Sequence, residues 1–155
     1  MPIAAQGRRA RLVGDLVRGR NNISIEYRHL SLYKQPVGLI GYGGLAKALQ
    51  PLLAPFGCPI SVYDPWLGRG YLQHQGVTPV DLGDAPRHLR FIFVLAVPSA
   101  ENQTLLSRKK LALIQDDAVF VLISLPCGRF WTLTEAVAAG RFRAAIDVFP
   151  GATRP

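Results

Sequence analysis

The sequence predicts an α/β fold in three layers, with a mostly parallel, doubly wound β-sheet between helices. Three observations predict it. From Pro36 onward, short apolar runs alternate with helix-like segments, the pattern of βα units that build a parallel sheet. Val37–Ile40, Phe91–Val97 and Val119–Ile123 are apolar throughout rather than at every second position, as strands buried on both faces are. Between the first such run and the first helical segment lies a glycine-rich turn, Gly41-Tyr-Gly43-Gly44-Leu-Ala46.

Residues 1–35 precede this alternation and read as a separate basic segment. Arg8, Arg9, Arg11, Arg18, Arg20, Arg28 and Lys34 stand against Asp15 and Glu26, so the segment holds +5 of the chain's net +8. Leu12, Val13, Leu16 and Val17 recur at helical spacing and predict a helix over Arg9–Arg18. Residues 36–150 form the predicted domain and 151–155 a tail. Val37–Ile40 is the first strand and Leu45–Ala54 the first helix of the domain. Pro51 should kink or shorten that helix, because it has no N–H for the carbonyl four residues back.

Ile60–Tyr63 is the second strand, closed by Asp64, Pro65 and a loop reaching Gly70. Tyr71–Gln75 reads as a short helix, Val77–Val80 as a short strand and Leu82–His88 as a further helical turn. Phe91–Val97 is rich enough in β-branched and aromatic residues for a central strand, and Pro98 stops it. Ser107 caps a helix running through Ile114, and Val119–Ile123 is the next strand. Thr132-Leu-Thr-Glu135 has the capping-box pattern, with a hydroxyl for the third amide and a carboxylate that can reach back. Gly140 suits the position just past that helix, and Ala144–Val148 is the last strand. The strand order expected of such a chain is 3-2-1-4-5-6.

Composition narrows the function classes. With 155 residues, 49% hydrophobic and 18% charged, the chain lies among ordinary globular sequences and away from disordered or disulfide-stapled ones. A domain of this size buries roughly 70% of the surface of its unfolded chain, so it needs no staple or metal. Cys58 and Cys127 lie at no metal-ligand or redox spacing, and no secretory apolar segment precedes them, so a reducing compartment, the cytoplasm, is expected. The apolar runs fall far short of the roughly 20 residues that cross a bilayer, so no membrane partner is expected. His29, His74 and His88 have no metal-ligand partner at helical spacing, and no metal site is expected. The basic segment lacks interleaved aromatics and any zinc-finger or RNA-recognition signature; a solvated basic tail is expected there, and not a nucleic-acid or targeting function.

The chemistry is carried by the glycine turn. In a G-x-G-x-x-A sequence between strand and helix, Gly41 allows the tight turn, Gly43 lets a pyrophosphate approach the backbone, and small Ala46 lets helix and strand pack closely. The orphan amides of the helix start, at Gly44, Leu45 and Ala46, then hold phosphate oxygens at the positive end of the helix dipole. Asp64 follows at the end of the next strand, where a carboxylate can accept both hydroxyls of an adenosine ribose and repel a 2′-phosphate; this favours NAD over NADP. A turn-forming Asp before Pro65 is the plainer alternative. Arg69 would soften the discrimination if it swings toward the adenosine. No G-K-[ST] follows the glycines and no G-x-S-x-G is present, which disfavours P-loop hydrolases and α/β-hydrolases.

Five ordered segments now identify a resemblance. Val37-Gly-Leu-Ile-Gly-Tyr-Gly43, Pro55-Phe-Gly-Cys58, Tyr63-Asp-Pro-Trp66, Ala96-Val-Pro-Ser-Ala-Glu-Asn102 and Ala144-Ala-Ile-Asp-Val-Phe-Pro150 resemble the NAD-binding Rossmann domain of the D-isomer-specific 2-hydroxyacid dehydrogenases. The resemblance covers about residues 28–150. It implies that Gly41, Gly43, Gly44, Leu45 and Ala46 hold the pyrophosphate and Asp64 the adenosine ribose. Pro98 and Ser99 would line the cofactor cleft, and Asp147 would lie near the nicotinamide carboxamide. It also implies a 2-hydroxy acid as the small-molecule partner and pairing into a homodimer.

Where the sequence departs from the family, it loses catalytic groups. The family binds the substrate carboxylate with an Arg after the strand matching Val119–Ile123, but Leu125 or Pro126 stands there, with Arg129 displaced. Ala152 replaces the expected Glu, and the family's catalytic His is expected beyond Pro155. Residues 1–35 resemble a remnant of the helix that links to the substrate domain, so the chain reads as a fragment. Read one nucleotide later, with permitted codons, the stretch Ile123–Phe130 followed by Trp131 becomes Ser-Arg-Cys-Arg-Val-Val-Asp-Phe, which is family-like; a compensated double frameshift is expected there, and resequencing the coding DNA decides it. The expectation is an NAD-binding domain of an oxidoreductase that moves hydride between NAD(H) and a 2-hydroxy or 2-oxo acid, with little turnover by this chain alone. The rival is a non-catalytic dinucleotide- or anion-binding module descended from such an enzyme, and a Rossmann methyltransferase is a more distant third.

Overall fold

The computed structural model describes residues 31–83, 88–96, 107–123 and 130–147. The helix expected at Arg9–Arg18 lies outside the described residues, as do Val97, Val148 and most of the turn expected at Leu82–His88.

Six strands make one parallel sheet: β1 (Val37–Ile40), β2 (Ile60–Tyr63), β3 (Thr78–Pro79), β4 (Phe91–Val94), β5 (Val119–Leu122) and β6 (Arg143–Ile146). Their order across the sheet is β3-β2-β1-β4-β5-β6, as expected from the sequence. Register is regular at the centre, where Val37 lies opposite Ile60 on one side and Phe91 on the other. Reversal of winding at β1 puts the crossovers of the β1-β2-β3 half and those of the β4-β5-β6 half on opposite faces of the sheet, since such connections are right-handed.

Alternation along each strand then builds two cores. Val37, Leu39, Val62 and Phe91 belong to a cluster with Ala46 and Leu53 of helix α1 (Gly44–Leu53) and Leu72 of α2 (Arg69–His74). Ile40, Ile92, Val94, Phe120 and Leu122 belong to a second cluster with Leu111 of α3 (Arg108–Leu111) and Leu133 of α4 (Phe130–Ala138). Strands sandwiched between two helical layers are apolar on both faces, which is why these runs read as continuous in the sequence.

Several elements differ from expectation. Helix α1 runs through Pro51 to Leu53 and then tightens into a 3₁₀ turn over Ala54–Phe56, so the proline does not shorten it; the helix begins and ends one residue earlier than expected. The strand expected over Val77–Val80 is reduced to Thr78–Pro79, and the helix expected from Tyr71 begins at Arg69. Ser107 holds the N-cap position of α3 without a side-chain cap bond, and α3 ends at Leu111 rather than Ile114. The capping box is not formed: Thr132 lies inside α4, which starts at Phe130, and the Glu135 carboxylate instead meets Arg108 at 2.8 Å. The far end of α4 is as expected. Gly140 has φ +80°, its N–H reaches Val137 O at 3.0 Å, and Arg141 N–H reaches Ala136 O at 3.3 Å, the paired bonds of a Schellman motif.

Candidate functional site

Gly41 and Gly43 are needed for different reasons. Gly41 has φ +92°, and a Cβ there would lie 2.8 Å from both the Cα and the N of Ala96. Its N–H donates to Tyr63 O at 2.8 Å, while Leu95 N–H donates to Ile40 O at 2.8 Å, so the turn after β1 is held between the ends of β2 and β4. That is the crevice where open α/β sheets take their ligands.

Gly43, by contrast, has φ −84° and ψ −161°, which any residue adopts. A Cβ on Gly43 or Gly44 would meet no atom within 4 Å. Neither glycine is required by packing within the described residues; the missing side chains instead leave the start of α1 open. Gly43 provides no side-chain cap, and the first turn of α1 carries no acidic residue. The amides of Gly44, Leu45 and Ala46 precede the Lys47 N–H bond to Gly43 O, 3.0 Å, and so point out of the helix. An open cradle of amides at the positive end of a helix dipole fits a pyrophosphate. Ala46, fully buried, packs α1 onto the sheet.

Asp64, half-buried at the end of β2, lies beside this turn. Its Oδ2 accepts the Tyr42 N–H at 2.8 Å, and its Oδ1 accepts the N–H groups of Trp66 at 2.9 Å and Leu67 at 3.2 Å. The turn-forming role and the site position thus coexist in one carboxylate. A carboxylate offers about four lone-pair sites. Three amides take three of them, which leaves Oδ2 room for one further donor.

Tyr42 was not singled out by the sequence reading, because its partners are distant in the chain. The ring is 2% exposed, its hydroxyl donates to Gln50 Oε1, and Gln50 Nε2 donates to Gln75 O at 2.8 Å. Burial, then the nearby Tyr71, pushes the Tyr42 phenol above its ordinary value, with Lys47 opposing. One turn into α1, Lys47 Nζ lies 5.5 Å from the centre of the Tyr71 ring; a hydrogen bond and charge interaction with Tyr71 raise the lysine's pKa and keep it cationic. Trp66 stands 57% exposed beside Asp64. Tyr42, Lys47 and Trp66 were given no role from the sequence, although Tyr42 lies within the glycine motif and Trp66 ends one of the family-like segments.

The other expected residues are placed less compactly. Arg69 does not turn toward the cradle; its guanidinium donates to Pro79 O at 3.1 Å and lies 3.6 Å from Asp81. Asp147 is at the end of β6, exposed, on the same edge of the sheet but separated from β1 by β4 and β5. Pro98, Ser99, Leu125, Pro126, Arg129 and Ala152 lie outside the described residues.

A family model described as the NAD-binding domain of D-isomer-specific 2-hydroxyacid dehydrogenases matches residues 3–155. The chain belongs to this family. Among similar 2-hydroxyacid dehydrogenases, the D-3-phosphoglycerate dehydrogenase of Methanocaldococcus jannaschii is 27% identical over 130 residues, which is 79% of this chain and 24% of that protein. The enzyme of the same name from Mycobacterium leprae is 26% identical over 128 residues, covering 80% of this chain and 24% of its own. The chain therefore spans about a quarter of the length of the curated relatives it matches. A phosphoglycerate oxidoreductase structure from Rhizobium etli superposes with a TM-score of 0.73 at 30% identity, over 91% of this chain and 46% of that one. An acyclic imino acid reductase in complex with NADPH and D-Arg superposes with a TM-score of 0.75 at 16% identity, over 94% of this chain and 48% of its own. At that identity the likeness is one of fold alone. No helix among the described residues is long and apolar enough to cross a membrane.

Proposed function

We propose that this NAD-binding domain takes NAD(H) in an extended pose along the carboxyl edge of the sheet. The adenosine ribose lies at Asp64, the pyrophosphate at the amides of Gly43, Gly44, Leu45 and Ala46, and the nicotinamide toward the ends of β4 to β6. Pro98 and Ser99 line the cleft, and Asp147 lies near the carboxamide. The observation that best supports this is the pairing of an open, uncapped helix start with a strand-end carboxylate 2.8 Å from the amide of the same turn. Asp64 accepts a ribose hydroxyl on Oδ2 and repels a 2′-phosphate, so NADH is preferred to NADPH.

When bound, NAD(H) donates or accepts the hydride; the chain binds and orients it. The substrate class we propose is a 2-hydroxy or 2-oxo acid. Relatives named for phosphoglycerate favour a phosphate-bearing member, and the intact enzyme acts as a homodimer in the cytoplasm. Turnover by this chain alone is slight, because Leu125 or Pro126 stands where the family's substrate-binding Arg belongs and Ala152 where its Glu belongs, so substrate placement and acid–base support are lost.

A fluorescence titration of the purified chain with NADH and NADPH tests the reading. NADH should bind more tightly than NADPH, and Asp64→Ala should weaken NADH by roughly tenfold or more, as loss of a hydrogen bond to a charged group does. A folded sample that binds neither dinucleotide would overturn the proposal.

A further inference from the structure

The Gly41–Ala46 turn poses a problem of rigidity. Three of its six residues are glycines, the residue type with the most backbone freedom to lose, and two of those have no packing around the side-chain position. Yet the cradle works only if its amides already point at one place, since ordering them on binding subtracts from affinity. The residue just before the two open positions is Tyr42, and it is held at both ends. Its ring is buried and hydrogen-bonded to Gln50; its amide donates to Asp64 Oδ2 at 2.8 Å, across 22 residues of sequence. Asp64 cannot follow a ligand away from this contact, because its Oδ1 is anchored by the Trp66 and Leu67 amides.

We propose that Asp64 is a positioning residue for the pyrophosphate cradle as well as the ribose ligand: its carboxylate fixes the Tyr42 peptide, and through it the amides that follow, before any dinucleotide arrives. This rests on the dinucleotide reading above. One consequence follows for specificity. Removing Asp64 to admit a 2′-phosphate should loosen the cradle too, so NADH is lost without a matching gain in NADPH.

The two roles separate with a ligand that cannot use the first, the reduced dinucleotide carrying 2′,3′-dideoxyadenosine. Two variants serve, Asp64→Ala and Asp64→Asn. The Asn retains an acceptor for the Trp66 and Leu67 amides but sets an NH₂ donor against the Tyr42 N–H, so it breaks the tie while keeping the turn. In the ligand-free protein, exchange of the Tyr42 amide should accelerate roughly tenfold or more in both variants. Both should also bind the dideoxy ligand roughly threefold or more weakly, although removing a negative charge near pyrophosphate would by Coulomb's law tighten it. Val62→Ala, a buried change in the same strand, serves as the control: it should lower Tm and leave affinity for the dideoxy ligand unchanged.

Unchanged exchange, or dideoxy binding that is unchanged or tighter while only NADH suffers, would overturn the proposal and leave Asp64 as a ribose ligand. Equal weakening by Val62→Ala would overturn it too, by reducing the effect to general stability. If the unsubstituted chain binds neither NADH nor the analogue, the dinucleotide reading falls by itself, and Tyr42 exchange alone decides whether the tie exists.

Discussion

Gly41 and Gly43 stand two residues apart and answer to opposite requirements. Gly41 combines a left-handed backbone with contact against the Ala96 main chain, which cannot step aside. Gly41→Ala should cost about 2–4 kcal/mol or prevent folding, measured by urea unfolding. Gly43→Ala meets neither obstacle and should change stability by no more than about 0.5 kcal/mol. Its added methyl fills the space above the helix start, however, so NADH affinity should fall roughly tenfold. On these expectations, a motif that reads as one unit in sequence divides into a folding residue and a proposed binding residue. Tyr42, between them, gives a prediction in pH. Its phenol is raised in the folded state by burial, so the unfolded chain releases that proton first as pH climbs; the contribution is complete below the unfolded value near 10 and is lost as pH rises through the folded value. Tyr42→Phe should be about 1 kcal/mol less stable at neutral pH, from the lost bond to Gln50, yet lose less stability than the parent between pH 9 and 11. Chemical unfolding across that range checks both signs.

At the scale of elements, ends were harder to read than existence. All six strands were legible, the three central ones most plainly, because continuous apolar runs have few other uses in a chain of this composition. Where each strand stops depends on neighbours: Thr78–Pro79 is short because it pairs only with Ser61 and Val62 of β2. The box at Thr132–Glu135 was locally sound, but the helix starts upstream of it and Arg108 takes the carboxylate. This Arg108–Glu135 pair is exposed, and Glu135→Gln should shift stability by no more than about 0.5 kcal/mol. Gly140, where the chain does need a left-handed residue, is different: Gly140→Ala should cost about 1 kcal/mol, seen as a lowered Tm with dinucleotide binding unaffected.

For the molecule as a whole, the sheet order decides where stability resides. β1 and β4 lie at its centre and feed both cores, whereas β3 and β6 form its edges among the described residues. Amide exchange should be slowest in Val37–Ile40 and Phe91–Val94 and fastest among the strands in Thr78–Pro79 and Arg143–Ile146. The cradle sits on the slow centre, with Gly41 bonded to β2 and wedged against β4, so dinucleotide binding should survive conditions that fray the edges. The cleft of about 220 Å³ between α3 and α4 lies with the other cluster; there Arg108 is committed to Glu135, and Arg141 to Asp116 and two carbonyls.

Sequence alone determined the class and the glycine turn after β1, because burial on both faces and strand-to-helix punctuation are local constraints written into consecutive residues, and the strand order followed from that class. It also marked Asp64 at the right strand end. What only the tertiary structure decided is how that carboxylate is used. Two readings, a turn former and a ligand, competed over the same residue, and the fold realises the turn while also presenting the site, since parallel pairing of β1 with β2 brings the Tyr42 amide to Oδ2. Contacts across 22 residues leave no period or motif in the chain, because they are set by the register between strands and not by neighbours in sequence.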